Sequence, residues 1–367
     1  MDNPQISYHT FCLRRQILSR SEKKQIDSAL YAKDAKGYRY RSYETKKQEK
    51  AFLINHPGLQ VTLQQYRSNK PILCLIINPH TLLGNTSYVS IFNPSSQTIA
   101  MMEEKLNTVL RHDIGFPLTF RDFILHRVDV CCNIPLSEEF NTKSYIRLLK
   151  RAMLPLPYER ISFPNSFPNA DGKNAHSFRV QAPQWTFTIY DKKYQMADQD
   201  LPFSPDDWRH VLRVEVALHR SAIHRLIQEY HLVNDVHLLD ELYRNSISGR
   251  QLERIVDILF VREDFCSYSE AATLLSSLPF RRNEYHLCSE LLSVITRCDT
   301  LGNALQLFCE KYCVSDKKTR KLLRLFEMNG INPVTIPERD LKNRNSSFKL
   351  PALHTLIFGK RAVQAPL

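Results

Sequence analysis

Residues 124–134 read ILHRVDVCCNI and residues 211–218 read VLRVEVAL, and the alternation within these two runs decides the fold. Successive side chains on a strand point to opposite faces. In the first run Val128 and Val130 therefore face one way, and Arg127 and Asp129 the other. In the second, Leu212, Val214 and Val216 form the apolar set, and Arg213 and Glu215 the polar one. Residues 185–190, WTFTIY, repeat the pattern, with Trp185, Phe187 and Ile189 opposite Thr186, Thr188 and Tyr190. Strands with one apolar face imply an α+β fold: a mainly antiparallel sheet covered by helices on that face.

Working outward, residues 59–66 (LQVTLQQY) and 71–78 (PILCLIIN) are β-rich runs, and Arg-Ser-Asn-Lys between them is a hairpin signal. Tyr88 to Phe92 reads as a further short strand, and Ile99 to Leu110 as an amphipathic helix on the sheet. Residues 154–173 hold Pro155, Pro157, Pro164 and Pro168 and are expected to form a long loop. From about Ser221 the apolar period becomes 3.6, placing helices near 221–231, 235–245, 249–261, 268–277, 284–295, 301–312 and 316–328. Asn329-Gly330 suits a left-handed stop to the last of them. The expected organisation is an α+β, DNA-binding domain over 1–220, a helical domain over 221–335 and a basic, polar tail over 336–367.

The chain has 367 residues, 43% hydrophobic and 24% charged, with nine glycines, which describes a folded globular protein and excludes fibrous and disordered classes. Its formal charge of +12 favours a polyanionic partner, with nucleic acid ahead of a membrane surface. No apolar run approaches the ~20 residues of a membrane helix, and the first residues lack the apolar core of a secretory signal, so a cytoplasmic location is expected. Nine cysteines without any C-x-x-C read as reduced, mostly core thiols rather than a zinc site. His219, His224, His231 and His237, spaced by five, seven and six residues, do not share one helical face.

If the three decisive strands share a sheet, Asp129, Glu215, Tyr190 and Lys192 converge on its polar face. Two carboxylates can hold Mg²⁺ or Mn²⁺ through oxygen ligands. A phenol can attack phosphorus when its proton is removed and the developing charge meets the metal and a Lys or Arg. Spacing alone favours a plainer alternative: cross-strand ion pairs on a solvated face, with Tyr190 an ordinary strand aromatic.

In order, HRVDVCCNIP, TIYDKKYQ and LRVEVALHRSAIHRL resemble the replication initiation proteins of rolling-circle plasmids and filamentous phages, as do NPHTLLGNTSY and KKTRKLLRLFEMNGINPVTIP. The resemblance spans roughly residues 60–337. It implies a metal-dependent endonuclease that nicks one strand at an origin, keeps the 5′ phosphate on a tyrosine and rejoins the ends. It further implies Asp129 and Glu215 as metal ligands, Asp191-Lys192 at the edge of the site, origin DNA (single-stranded or hairpin) as partner, and a host helicase beside it. No membrane partner and no small-molecule substrate are expected. The family's tyrosine-bearing stretch corresponds here to NAHSFRVQAPQ, which has no tyrosine, so Tyr190, Tyr194 and Tyr158 are the candidates. A relative that binds the origin without nicking is one alternative, and a relaxase-like nickase of a conjugative element is another. No His-x-His pair occurs, so the two-histidine metal motif of other nickases is absent.

Residues 14–50 carry twelve Lys or Arg against five acids with tyrosines interleaved. Cations contact phosphates while tyrosines stack on unpaired bases, so Arg14, Arg15, Lys23, Lys24, Arg39, Tyr40, Arg41, Lys46 and Lys47, with Arg127 and Arg213, are the expected DNA contacts. Lys317, Lys318, Arg320, Lys321 and Arg324 form a second basic patch on a helix, whose start an Asp or Ser cap explains equally well.

Overall fold

In the computed structural model the protein is described over residues 4–17, 19–34, 43–45, 48–66, 70–85, 90–116, 118–136, 142–155, 160–161, 176–198, 210–233, 235, 237–244, 247–341 and 348–359. Its strands are β1 (Ile6–Gln16), β2 (Tyr43–Thr45), β3 (Gln48–His56), β4 (Leu59–Tyr66), β5 (Ile72–Ile77), β6 (Ile124–Leu136), β7 (Arg160–Ile161), β8 (Ser177–Gln181), β9 (Trp185–Asp191) and β10 (His210–His219). They form one ten-stranded sheet in the order β2-β3-β4-β5-β1-β6-β10-β9-β8-β7. Every pairing is antiparallel. The fold is therefore α+β, with a helical C-terminal region, as the alternation requires.

The apolar set of each central strand is buried. Val128, Val130 and Cys132 of β6, Leu212, Val214, Val216 and Leu218 of β10, and Phe187 and Ile189 of β9 are at most 1% exposed. Burying one such Val, Leu or Ile contributes ~1.5–3 kcal/mol. The helix Thr142–Ala152 packs against β8, β9 and β10, while Ile247–Leu259 and Leu353–Phe358 pack against β6. One hydrophobic cluster runs from Tyr8 to Ile357.

Seven helices of the C-terminal region fall where the 3.6 period puts them: Arg220–Glu229, His237–Arg244, Ile247–Leu259, Tyr268–Ser276, Arg282–Arg297, Leu301–Tyr312 and Asp316–Met328; Glu338–Leu341 and Leu353–Phe358 follow them, unforeseen. Gly330 follows the last of the seven with φ +67, the left-handed stop expected there. Gly58 closes the β3–β4 hairpin at φ +73, where a Cβ would lie 2.2 Å from the Leu82 backbone nitrogen, so no other residue fits. Among the described residues no helix is long and apolar enough to cross a membrane.

Three departures from the sequence reading stand out. Ser90 to Phe92 is not a strand, and Tyr88 lies outside the described residues. The chain there leads into a helix, Ser96–Thr108, whose capping box is Ser95 with Thr98, and buried Phe92 packs against the Tyr8 ring at 5.3 Å. The strand β1, unforeseen, occupies the middle of the sheet between β5 and β6. The tail contains a segment, 348–359, that bridges Leu350 to Phe265 and buries Leu353 and Ile357. Most of the proline-rich stretch 154–173 lies outside the described residues.

Candidate functional site

The three strands singled out by their pattern are immediate neighbours, with β10 between β6 and β9. Glu215 stands opposite Cys131 on one side and Thr188 on the other, and Arg213 opposite Asn133 and Tyr190. Asp129 is opposite Ala217, one diagonal step from Glu215. Asp129, Arg213, Glu215 and Tyr190 thus share the face opposite the apolar core, and Lys192 opens the helix Lys192–Asp198 that continues from β9.

The chemistry centres on Glu215. Its Oε1 accepts a hydrogen bond from the Tyr190 hydroxyl at 2.8 Å and lies 2.9 Å from Arg213 Nε. Arg213 is fully buried, and its Nη2 donates to Cys131 Sγ at 3.5 Å. Burial pushes the Glu215 carboxyl up, but Arg213, His9, the Tyr190 hydrogen bond and Lys192 outweigh it and hold the group below its ordinary value. Tyr190 moves the other way, well above the usual phenol, through burial and then the Glu215 charge. Lys192 is lowered to about 8 by burial and by Arg213; its Nζ donates to Gln195 Oε1 at 2.9 Å and lies 6.0 Å from the Tyr190 ring centre.

Asp129 is different. Its Oδ2 accepts from Arg127 Nη2 at 2.8 Å, whereas Oδ1 is buried with no hydrogen-bond partner among the described residues. Burial raises its carboxyl to about 6 despite Arg127, and Glu215 adds to the rise. An orphaned buried carboxylate oxygen, one diagonal from a second carboxylate, is the kind of donor a hard divalent cation takes. Asp129 and Glu215 are the residues of this face that could hold such a cation.

Two residues at this face escaped the sequence reading. His9 of β1 sits close enough for Arg213 to help burial hold it down to about 3; Asn78 and Thr10 bond its ring nitrogens. Arg179 of β8 faces Thr188 and bears electrostatically on Asp129. Asp191 caps the helix after β9 by accepting from the Tyr194 backbone N–H at 3.1 Å. Tyr194 stacks on His176 at 3.9 Å. Tyr158 lies outside the described residues.

The N-terminal cations are spread unevenly. Arg14 lies on β1 opposite Cys74 of β5. Arg15 is bound to Glu22 at 2.9 Å and to the Asp122 carbonyl at 3.0 Å; Lys23 pairs with Asp27 at 3.6 Å, and Lys24 is exposed. Arg39, Tyr40, Arg41, Lys46 and Lys47 lie outside the residues whose side chains are described. Lys317, Lys318, Arg320, Lys321 and Arg324 are all exposed on their helix, which Ser315 caps. The four C-terminal histidines form no metal-ligand group among the described residues; the group of three that does occur is Glu253, Asp257 and His354, elsewhere in the fold.

No protein-family model matches the chain, and no curated protein matches it. Among solved structures it is similar to a rolling circle replication initiator protein from Geobacillus stearothermophilus, with 12% identity and a TM-score of 0.28 over 66% of this chain and 85% of that one.

Proposed function

We propose that this protein binds DNA and initiates rolling-circle replication, nicking and rejoining one strand at the polar face of its sheet. The observation that carries the reading is the adjacency of β6, β10 and β9, which brings Asp129, Glu215, Arg213 and Tyr190 onto one face with the phenol 2.8 Å from a carboxylate. These are the strands whose motifs resemble those of rolling-circle initiators.

In this reading Asp129 and Glu215 hold Mg²⁺ or Mn²⁺, which when bound polarises a phosphate oxygen. Glu215 Oε1 already accepts the Tyr190 hydrogen bond and is placed to take its proton. The Tyr190 oxygen then bonds to phosphorus as the P–O3′ bond breaks, leaving the 5′ phosphate on the tyrosine. Lys192, with its lowered pKa, is able to protonate the departing 3′ oxygen. Rejoining reverses each transfer. Arg127, Arg14 and Arg179 supply positive charge for the phosphates flanking the nick.

A second reading is a relative that binds an origin but has lost nicking. It is favoured by the state of Tyr190, whose proton is held between a raised phenol and a lowered carboxylate; proton transfer in that direction is uphill until a cation and a phosphate enter. Incubating the protein with a supercoiled plasmid carrying its own coding region separates the two. Nicked circles in Mn²⁺ but not in EDTA, with protein on the 5′ end, lost in Asp129→Ala and Tyr190→Phe, support the nickase. Selective binding without nicking supports the second reading.

A further inference from the structure

Six of the nine cysteines are buried, and three of these, Cys131, Cys12 and Cys74, lie outside the hydrophobic cluster; the last two are paired with each other. They belong to the neighbouring strands β1 and β5, one diagonal step apart, since Cys12 is opposite Ile76 and Cys74 is opposite Arg14. Their Sγ atoms are 3.3 Å apart, tighter than an ordinary non-bonded sulfur contact. On its other side Cys12 stands directly opposite Arg127 of β6. The thiol pair therefore has two guanidinium groups beside it, on the same strand face as the phosphoryl-transfer residues.

We infer that Cys12 and Cys74 are an oxidation site at which a peroxide forms a reversible cross-strand disulfide joining β1 to β5. The sulfur contact sets the pairing, and the arginines favour a thiolate as the attacking form. Consistent with this, the sulfur–sulfur hydrogen bond, outweighing burial, together with the charge of Arg14 lowers Cys74 to about 7, while Cys12 is raised by the same bond and by burial.

The Cys74 thiolate attacks one peroxide oxygen, the O–O bond breaks, and hydroxide leaves and is protonated to water, giving a sulfenic acid. The Cys12 sulfur then attacks Cys74 Sγ, the S–O bond breaks, and the hydroxyl departs as water with the Cys12 proton. Two thiols and one hydrogen peroxide become one disulfide and two waters. Closure requires the sulfurs to move from 3.3 Å to the ~2.05 Å of a disulfide. Diagonal neighbours on antiparallel strands stand ~7–8 Å apart, so closure also draws β1 and β5 together, next to Arg127, the partner of Asp129.

The test is to treat the full-length reduced protein with hydrogen peroxide, denature it, count free thiols and map peptides by mass. The expected result is loss of two of the nine thiols and a peptide pair joined through Cys12 and Cys74, lighter by two hydrogens and separated again by dithiothreitol. Cys12→Ser and Cys74→Ser should each abolish that pair while the exposed Cys313 reacts with iodoacetamide as in the wild type. If one variant fails to fold, the other and the wild-type peptide map still decide. Retention of both thiols while Cys313 is consumed, or a bridge between any other two cysteines, overturns the proposal.

Discussion

The strands β6 and β10 carry the same local pattern, Arg-Val-Asp-Val against Arg-Val-Glu-Val, yet the two ion pairs have opposite characters. Arg213 is 1% and Glu215 20% exposed, and Arg213 reaches both Glu215 and Cys131. Arg127 is 37% exposed and holds a single Asp129 oxygen, leaving the other buried without a partner among the described residues. One pair is a closed internal network and the other an open one, which is why the Glu215 carboxyl lies below its ordinary value and that of Asp129 above. A shared motif fixes which face a charge occupies; burial and the number of partners fix what it can do.

The contrast breaks most sharply at the arginines. Arg213→Met strands a carboxylate held in its ionised form and should destabilise the protein by about 3–5 kcal/mol, whereas Arg127→Met should cost less, because Asp129, already raised to about 6, takes up a proton in place of its lost partner. Urea unfolding of both variants checks this, and equal losses would mean that the two pairs are alike.

The carboxylates should respond to pH with opposite signs. Asp129 is raised from 3.8 to about 6, so the folded state favours its protonated form. Its ionisation therefore removes stability as pH rises from about 4 to about 6, by roughly 2–3 kcal/mol in total. Asp129→Asn should thus be more stable than wild type at pH 7 and no more stable at pH 4.5. Glu215 is lowered, so its contribution is present above the unfolded value and is lost as pH falls through the folded one; Glu215→Gln should be less stable at pH 7 and converge with wild type in acid. Chemical denaturation at the two pH values reads both signs.

Tyr190→Phe removes a hydrogen bond to a charged acceptor, worth about 1.5–3 kcal/mol, and an intact Glu215–Arg213 pair should keep the measured loss near the lower figure. The smallest effect is expected far from this face: reversing Lys317, Lys318 and Lys321 to Glu should leave stability within about 0.5 kcal/mol. Because these side chains are exposed, the same change should flatten the salt dependence of DNA affinity if that helix touches phosphates. Fluorescence anisotropy at two salt concentrations measures the slope.

Strict alternation made the centre of the sheet legible from sequence. Val128 and Val130 against Arg127 and Asp129 marked the polar face of the sheet, and the 3.6 period marked seven of the helices. The strand β1 was hidden because register shifts between Tyr8 and Thr10 and between Cys12 and Leu13 break its period of two. Tyr8 and Phe11, three residues apart, are consequently both buried, a spacing that mimics a helix. His9 was lost with its strand. Arg179 lies on a five-residue strand, too short for a periodic signal. The orphaned Asp129 oxygen was beyond any local pattern, since it depends on which groups of distant strands fail to reach it. Nor does spacing reveal that His354 meets Glu253, 101 residues earlier, at 3.3 Å.

The proposed nicking chemistry requires the open pair to belong to a cation site shared by Asp129 and Glu215. Titrating Mn²⁺ into the wild type, Asp129→Asn and Glu215→Gln while following free Mn²⁺ by electron paramagnetic resonance tests it most directly. The expected result is one bound Mn²⁺ that is lost or weakened at least tenfold in each variant, with His354→Ala binding as the wild type does. Equal Mn²⁺ binding by wild type and Asp129→Asn would contradict the account and leave the polar face as an ion-pair network without a metal.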